Sequence, residues 1–210
     1  GYYFWMLDDL ELIETPAYLM DIVDQNHGGW DIGYANTIGF GMDYTAKPKI
    51  QSDANPYMFE MTIANVGANP LQDIKMNIEV EEDLSGSILF SSSSSANNTL
   101  PVLDTVSYLA SSTYAPANTG LYNMRFWASS NNIPSSVNSD TTYMSAYITD
   151  TIYARDYGIP NGSWRVGRTC GGLQLGNHFD IYFQDDVTSV SAYVADYSVV
   201  GAEMHGILYE

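Results

Sequence analysis

A single cysteine, Cys170, stands in a chain of 210 residues. One thiol cannot close an internal bridge, so disulfides do not staple this fold. Basic residues are also scarce: Lys and Arg number 7 against 25 Asp and Glu, a formal net charge of -18. Nucleic acid is held by clustered cations that release counterions from the phosphates. The few cations here are scattered, which excludes nucleic acid as a partner class. No apolar run reaches the ~20 residues that a membrane-spanning helix needs, so membrane insertion is not expected. Leucine is sparse and no segment keeps a convincing 3.6-residue period, which argues against a helical fold.

What is present points to strands. Apolar residues make up 45% of the chain, enough for a packed core, and 17 of them are tyrosines. Tyr, Thr and Val suit a pleated, half-buried surface. The clearest pattern is Ile74-Lys75-Met76-Asn77-Ile78-Glu79-Val80, which alternates strictly. A period of two places Ile74, Met76, Ile78 and Val80 on a core face and Lys75, Asn77 and Glu79 toward water. Further strands are expected in residues 2–14, 17–23, 57–64, 106–109, 120–128 and 142–148. Asn65-Val66-Gly67 reads as a turn, and the serine run 91–95 with Ala96-Asn97-Asn98 as an exposed loop. Closely spaced strands with turn signals between them predict an antiparallel β-sandwich. Thr15-Pro16 breaks the first pattern, because proline cannot sit in a central strand, and marks a domain boundary. Beyond Asp150, residues 158–176 are glycine-rich, and 179–183, 187–194 and 203–209 read as strands.

The chain opens and closes inside alternating β patterns, Tyr2-Tyr3-Phe4-Trp5 at one end and Ile207-Leu208-Tyr209-Glu210 at the other. Such strands expose unpaired backbone groups unless something completes them. The expectation is a segment of a longer β-rich protein, with flanking domains or a neighbouring copy supplying the missing strands.

Motifs for chemistry are few. Asp8-Asp9, Asp185-Asp186 and Glu81-Glu82-Asp83 are carboxylate clusters. Ca²⁺ takes six to eight oxygens, and neighbours in a strand point to opposite faces, so an adjacent pair cannot chelate alone. Asp8, Asp9, Asp185 and Asp186 are the residues Ca²⁺ would use. The competing role is solvated edge charge that blocks strand pairing, and we assign no metal and no other cofactor. His27, His178 and His205 lack metal-ligand spacing. Cys170 lies near Arg168, but a nucleophile also needs a base, and only His178 is near it in sequence. No Gly-x-Ser-x-Gly elbow occurs. No nucleophile, base and orienting group can be assembled, so the expectation is a non-enzyme without catalytic residues. Trp30 with Tyr34, and Phe126 with Trp127, are the aromatic pairs that could stack on sugars; in a sandwich, aromatics more often fill the core.

These pieces bear a family resemblance. Tyr3-Phe4-Trp5-Met6-Leu7-Asp8-Asp9-Leu10-Glu11-Leu12 resembles the closing strand of a jelly-roll or MAM-like domain. Residues 59–67 with 74–80 resemble an immunoglobulin-like adhesion module, in which an apolar strand, Asn-x-Gly and an alternating strand follow one another. Residues 186–194 with 201–210 resemble the first half of a further jelly roll. Together they are similar to the multidomain surface adhesins and appendage proteins that Bacteroidetes export by type IX secretion. The resemblance implies an all-β chain divided at 1–16 (end of a jelly-roll-like domain), 17–148 (immunoglobulin-like sandwich) and 149–210 (start of another jelly-roll-like domain). It implies an extracellular, cell-surface role as a structural and adhesive segment, within a long chain, homo-oligomer or fibre, with a glycan or cell-surface molecule as ligand. The alternative class is a non-catalytic accessory or carbohydrate-binding module of a secreted hydrolase. Bacteroidetes O-glycosylation follows Asp, then Ser or Thr, then an apolar residue or Thr. The resemblance makes Thr105, Thr141 and Thr151 candidate acceptors, against ordinary Asp-Thr turns.

Overall fold

The computed structural model describes residues 14–27, 44–131, 140–156, 158, 176–201 and 203–209. Nine strands and one short helix lie among them: β1 Met20–Asn26, β2 Ala46–Pro48, α1 Lys49–Ala54, β3 Glu60–Asn65, β4 Leu71–Glu82, β5 Ser87–Ser93, β6 Asn97–Leu100, β7 Thr105–Leu109, β8 Gly120–Ser129 and β9 Thr142–Thr149. The chain is all-β, and it forms two compact units.

The first unit comprises Gly1–Asp31, Tyr57–Tyr114 and Gly120–Ser145. One of its sheets runs β1-β3-β7, with both pairings antiparallel. The other runs β9-β8-β4-β5, and β6 pairs with the start of β4. This is an antiparallel sandwich of immunoglobulin-like kind. Alternation builds its core. Ile74, Met76, Ile78 and Val80 of β4 are wholly buried, while Lys75 is exposed and Asn77 and Glu79 look outward, as the period of two predicts. Tyr122, Met124, Phe126 and Ala128 of β8 join the same core, opposite Met61 and Ile63 of β3. Phe59 packs on Phe126 at 6.1 Å and on Phe90 at 5.6 Å between ring centroids. Each fully buried side chain of this size contributes ~1.5–3 kcal/mol, so the alternation alone specifies which face is inward.

The turn after β3 is fixed by side-chain chemistry. Asn65 is fully buried. Its Oδ1 accepts from the Gly67 amide at 3.1 Å, and its Nδ2 donates to the carbonyls of Asn69 and Leu100, both at 3.0 Å. Gly67 is needed for close approach: a Cβ there would lie 2.6 Å from the Leu19 backbone nitrogen.

The serine run differs from the expected loop. Residues 87–93 form β5 instead, paired with β4. The hydroxyls make this possible by bonding across elements rather than back to their own chain: Ser92 Oγ lies 2.8 Å from Ser112 Oγ, and Ser93 donates to Asn77 Oδ1 at 2.8 Å. Serine's usual competition with secondary structure is turned into cross-links. Asn97 and Asn98, read as part of the same loop, begin β6.

The second unit comprises Ile32–Pro56, Ala115–Thr119 and Ala146–Glu210. Both units are assembled from separated stretches of sequence. In the second unit β2 runs parallel to the last residues of β9, with Ala46, Lys47 and Pro48 opposite Tyr147, Ile148 and Thr149. Pro48 then has the extended φ of -60° and starts α1, a place where a missing amide hydrogen does no harm. The helix is only six residues long, too short for a visible period.

The described residues from 176 onward form no strand. The segments 187–194 and 203–209, expected as strands, have no regular secondary structure, and Val187, Val190, Tyr193, Val194, Ile207 and Leu208 are exposed. At 179–183 the amides of Asp180, Tyr182 and Phe183 and the carbonyls of Asp180 and Phe183 bond to side chains. Residues 1–13, including the expected first strand, lie outside the described residues, as do Trp30, Tyr34 and Cys170.

Candidate functional site

In the second unit, a set of buried polar side chains converges on one extended segment. Two ladders position them. The parallel pairing of β2 with β9 holds residues 46–48, and Thr45 and Ala46 both donate to the Ala154 carbonyl, at 2.9 and 3.2 Å. Tyr44 and Arg155 are thereby brought together: the guanidinium carbon sits 4.0 Å from the centre of the Tyr44 ring. One turn of α1 then buries Gln51 completely.

All of these groups hold residues 178–183. Gln51 Oε1 accepts from the amides of Tyr182 at 2.9 Å and Phe183 at 3.0 Å, and its Nε2 donates to the Phe183 carbonyl at 2.7 Å. A side-chain amide has the same donor and acceptor as a peptide group, so Gln51 stands where a neighbouring strand would. Arg155 Nε donates to the His178 carbonyl at 2.8 Å, and Tyr153 to the Asp180 carbonyl at 2.9 Å. The Tyr44 hydroxyl accepts from the Asp180 amide at 2.7 Å and donates to its carboxylate at 3.1 Å. Side chains of the segment are held too: the Phe179 ring packs on Tyr153 at 5.7 Å and on Tyr44 at 6.1 Å between ring centroids, with the Arg155 guanidinium 5.7 Å from its centre.

Burial shapes the titration of this cluster. Loss of solvent raises the Tyr44 hydroxyl from 10.0 to about 12, against the lowering effect of the Asp180 amide bond and the Arg155 charge. Lys47 is wholly buried, with Nζ 2.7 Å from the Asn55 carbonyl and 5.5 Å from the Tyr182 ring centre. Burial lowers it from 10.5 to about 8, and the Asp180 charge opposes the shift. From β2, before the helix, Lys47 thus reaches the carbonyl of Asn55, the residue that caps the C-terminal end of α1.

The first unit offers a second surface, the outward face of β4, β8 and β9. Asn77 faces Trp127, and Glu79 faces Arg125. Arg125 pairs with Glu79, and its guanidinium lies 5.1 Å from the Trp127 ring centre. Asn77 donates to Ser129 Oγ at 3.0 Å, and Ser145 to Asn123 Oδ1 at 2.8 Å. The result is one half-exposed indole on a lattice of polar side chains. Phe126 and Trp127, paired by sequence as sugar-stacking aromatics, are neighbours on a strand and so face opposite ways. Phe126 is core and Trp127 is surface.

Of the Ca²⁺ candidates, Asp185 and Asp186 are exposed, and the Asp185 carboxylate accepts from the Asp186 amide at 2.9 Å; Asp8 and Asp9 lie outside the described residues. Among the described residues no group of three or more His, Cys, Asp or Glu is placed to hold a metal. His27 is a core residue, its ring edge-on to Tyr57 at 5.2 Å, while His178 and His205 are exposed. Thr105, Thr141 and Thr151 are all exposed, at the start of β7, just before β9 and just after it. The clamp itself was missed by sequence reasoning. Gln51 and Tyr182 are 131 positions apart, and no local pattern links them.

No protein-family model and no curated protein matches this chain. Among solved structures it is similar to the C-terminal domain of Wzt, at 14% identity, covering 71% of this chain and 92% of that one, TM-score 0.44. It is also similar to the CARDB domain of a Pyrococcus furiosus protein solved in complex with di-metal ions, at 9% identity, covering 69% and 100%, TM-score 0.37. A family 76 glycoside hydrolase from a bovine Bacteroides thetaiotaomicron strain is similar at 13% identity over 52% of this chain and 20% of that one, TM-score 0.25.

Proposed function

We propose that this chain is a non-catalytic, structural and adhesive segment of an extracellular bacterial surface protein of the type IX-exported kind, working within a longer β-rich chain or fibre. One observation carries the reading: its buried polar side chains bind its own backbone. Asn65, Gln51, Lys47 and Arg155 each donate to a main-chain carbonyl, and Asn65 and Gln51 also accept main-chain amides. In an enzyme, buried polar groups with shifted titration face a substrate; here they fasten segments together. The excess of carboxylates suits an exposed, soluble surface. The exposed Thr105, Thr141 and Thr151 leave room for a bulky glycan. The exposed apolar side chains of Val187, Val190, Val194, Val199 and Val200 suit a chain completed by a flanking domain or another copy.

The test pairs adhesion with turnover. Beads coated with the chain are offered intact bacterial cells and immobilised cellulose, chitin, peptidoglycan and mucin, and the purified chain is screened against peptide, ester and glycan substrates. Retention without turnover is expected. Turnover abolished by changing Cys170, His178 or the Asp185-Asp186 pair overturns the reading.

A carbohydrate-binding module is the second reading, and Trp127 favours it. An indole flanked by Asn77, Arg125 and Ser129 offers a stacking face with polar groups at its rim. Under this reading Trp127→Ala abolishes retention on one polysaccharide, and the fold persists because Trp127 is outside the core.

A further inference from the structure

We propose that the Asn55-Pro56 peptide bond is a self-cleavage site: the Asn55 side-chain amide attacks its own main-chain carbonyl and displaces Pro56, with Lys47 polarising the carbonyl under attack. The reaction acts once on its own chain and turns over no substrate, so it goes beyond the structural reading above without competing with it.

Three observations converge on this bond. First, the nucleophile is unengaged. Asn55 Nδ2 is buried and has no hydrogen-bond partner among the described residues, a condition that buried donors rarely show. Its attack on the carbonyl carbon of the same residue closes an imide ring. Reach is therefore set by the covalent structure of asparagine itself. Second, the electrophile is engaged. Lys47, wholly buried, donates from Nζ to the Asn55 carbonyl oxygen at 2.7 Å. A donor on this oxygen stabilises the negative charge that develops as the nitrogen adds, and does so most strongly out of water. The Asn55 amide is fixed as well, donating to the Gln51 carbonyl at 3.0 Å. The main chain is thus held and the side-chain nitrogen is not. Third, Pro56 closes the competing route. Asparagine ordinarily loses its side-chain nitrogen when the amide of the next residue attacks Cγ, and proline has no such amide hydrogen.

The step balances without a co-reactant. The bond from Nδ2 to the Asn55 carbonyl carbon forms, and the bond from that carbon to the Pro56 nitrogen breaks. One Nδ2 proton passes to the Pro56 nitrogen, which leaves as a secondary amine. Water later opens the imide. The cut falls between α1 and β3, where the Ile32–Pro56 stretch of the second unit ends and Tyr57 begins the next stretch of the first. The pieces stay paired through the ladders of β1 with β3 and of β2 with β9. One covalent chain becomes two chains held by ladders, which part under load where a peptide bond does not.

The test is intact-mass spectrometry of the purified full chain through a long warm incubation with protease inhibitors. Pieces 1–55 and 56–210 are expected. The first is one water lighter than a hydrolytic fragment, because it ends in the imide, and the second begins at Pro56 on N-terminal sequencing. A chain that stays whole, a cut elsewhere, or a 1–55 piece never seen at the imide mass overturns the proposal. Asn55→Ala lacks the nucleophile and is expected to stay whole; cutting in it overturns the proposal. Lys47→Met is expected to slow the cut on the order of a hundredfold, and an unchanged rate overturns the proposal. If Lys47→Met does not fold, wild-type chain in urea gives the same reading, because unfolding takes Lys47 off the carbonyl; a cut as fast in urea as in buffer overturns the proposal. Failure here leaves the bead assay untouched, and loss of bead retention leaves the mass measurement untouched.

Discussion

Asn65→Ala tests whether one amide organises the first unit. The side chain makes three hydrogen bonds inside a fully buried site: from the Gly67 amide, and to the carbonyls of Asn69 and Leu100. Its main chain adds two more, donating to the Asp104 carbonyl at 3.0 Å and accepting from the Leu103 amide at 2.9 Å. The residue thus ties the turn after β3 to β6 and to the turn before β7. Each side-chain bond is worth ~1 kcal/mol net, and truncation leaves its partners without one. The expected loss is about 3 kcal/mol, a large part of the 5–15 kcal/mol of an ordinary domain. That corresponds to about a hundredfold increase in the open population. Because the chain has two compact units, a single global melt is a poor readout. Native-state hydrogen exchange at the Gly67 and Leu103 amides reads the site directly. Asn65→Asp sharpens the test. It can still accept from Gly67, but as a carboxylate it sets negative charge against two carbonyls. Its folded pKa is then raised above the unfolded one, so its stability rises on acidification and falls as pH increases. A loss below about 1 kcal/mol in Asn65→Ala, with protection at Gly67 retained, would refute the reasoning.

Two further outcomes follow from local geometry. Gly67→Ala sets a Cβ 2.6 Å from the Leu19 backbone nitrogen, whereas Gly86→Ala meets nothing within 4 Å and carries only its φ of +63°. Gly86→Ala is expected to lose about 1 kcal/mol and Gly67→Ala clearly more, measured by urea unfolding; equal losses would contradict the close approach. Stability of the second unit is expected to rise between pH 8 and 10 and to fall above it. Lys47 is lowered to about 8 in the fold, so above that pH the unfolded chain holds the extra proton and alkali favours folding, by about 3 kcal/mol in all. Tyr44 is raised to about 12, so above 10 the folded chain holds the extra proton and the sign reverses. Lys47→Met is expected to remove the rise and keep the fall in urea titrations across this range. A rise that persists in the variant would show that another group carries it.

The sandwich was legible because its signal is local. Strict alternation through Ile74–Val80 and Tyr122–Ala128 names the inward face without reference to any partner, and the structure buries Ile74, Met76, Ile78, Val80, Tyr122, Met124, Phe126 and Ala128 completely. Asn65-Val66-Gly67 was legible as a turn, though not as the junction it is, because the Leu100 carbonyl lies 35 positions away. Serines 91–93 misled for a physical reason. Serine's local preference is for turns, and here it is overridden by hydroxyl partners on Asn77 and Ser112. Propensity is a weak prior once tertiary bonds are available.

The region beyond residue 176 was misread in a more instructive way. Phe179-Asp180-Ile181-Tyr182-Phe183 has the composition of a strand, but the bonds at the Asp180, Tyr182 and Phe183 backbone come from side chains. Sequence pattern reports that a segment is extended and needs partners; it cannot report whether those partners are a ladder or a glutamine. A strand in a ladder is held by many peptide groups on both sides. Residues 178–183 are held by the side chains of Tyr44, Gln51, Tyr153 and Arg155, through backbone bonds and through contacts with Asp180 and the Phe179 ring. A ladder spreads its hold over many interchangeable peptide groups, whereas this segment depends on a few named side chains, so a single change at Gln51 or Arg155 removes a share of the hold that no single change in a ladder would.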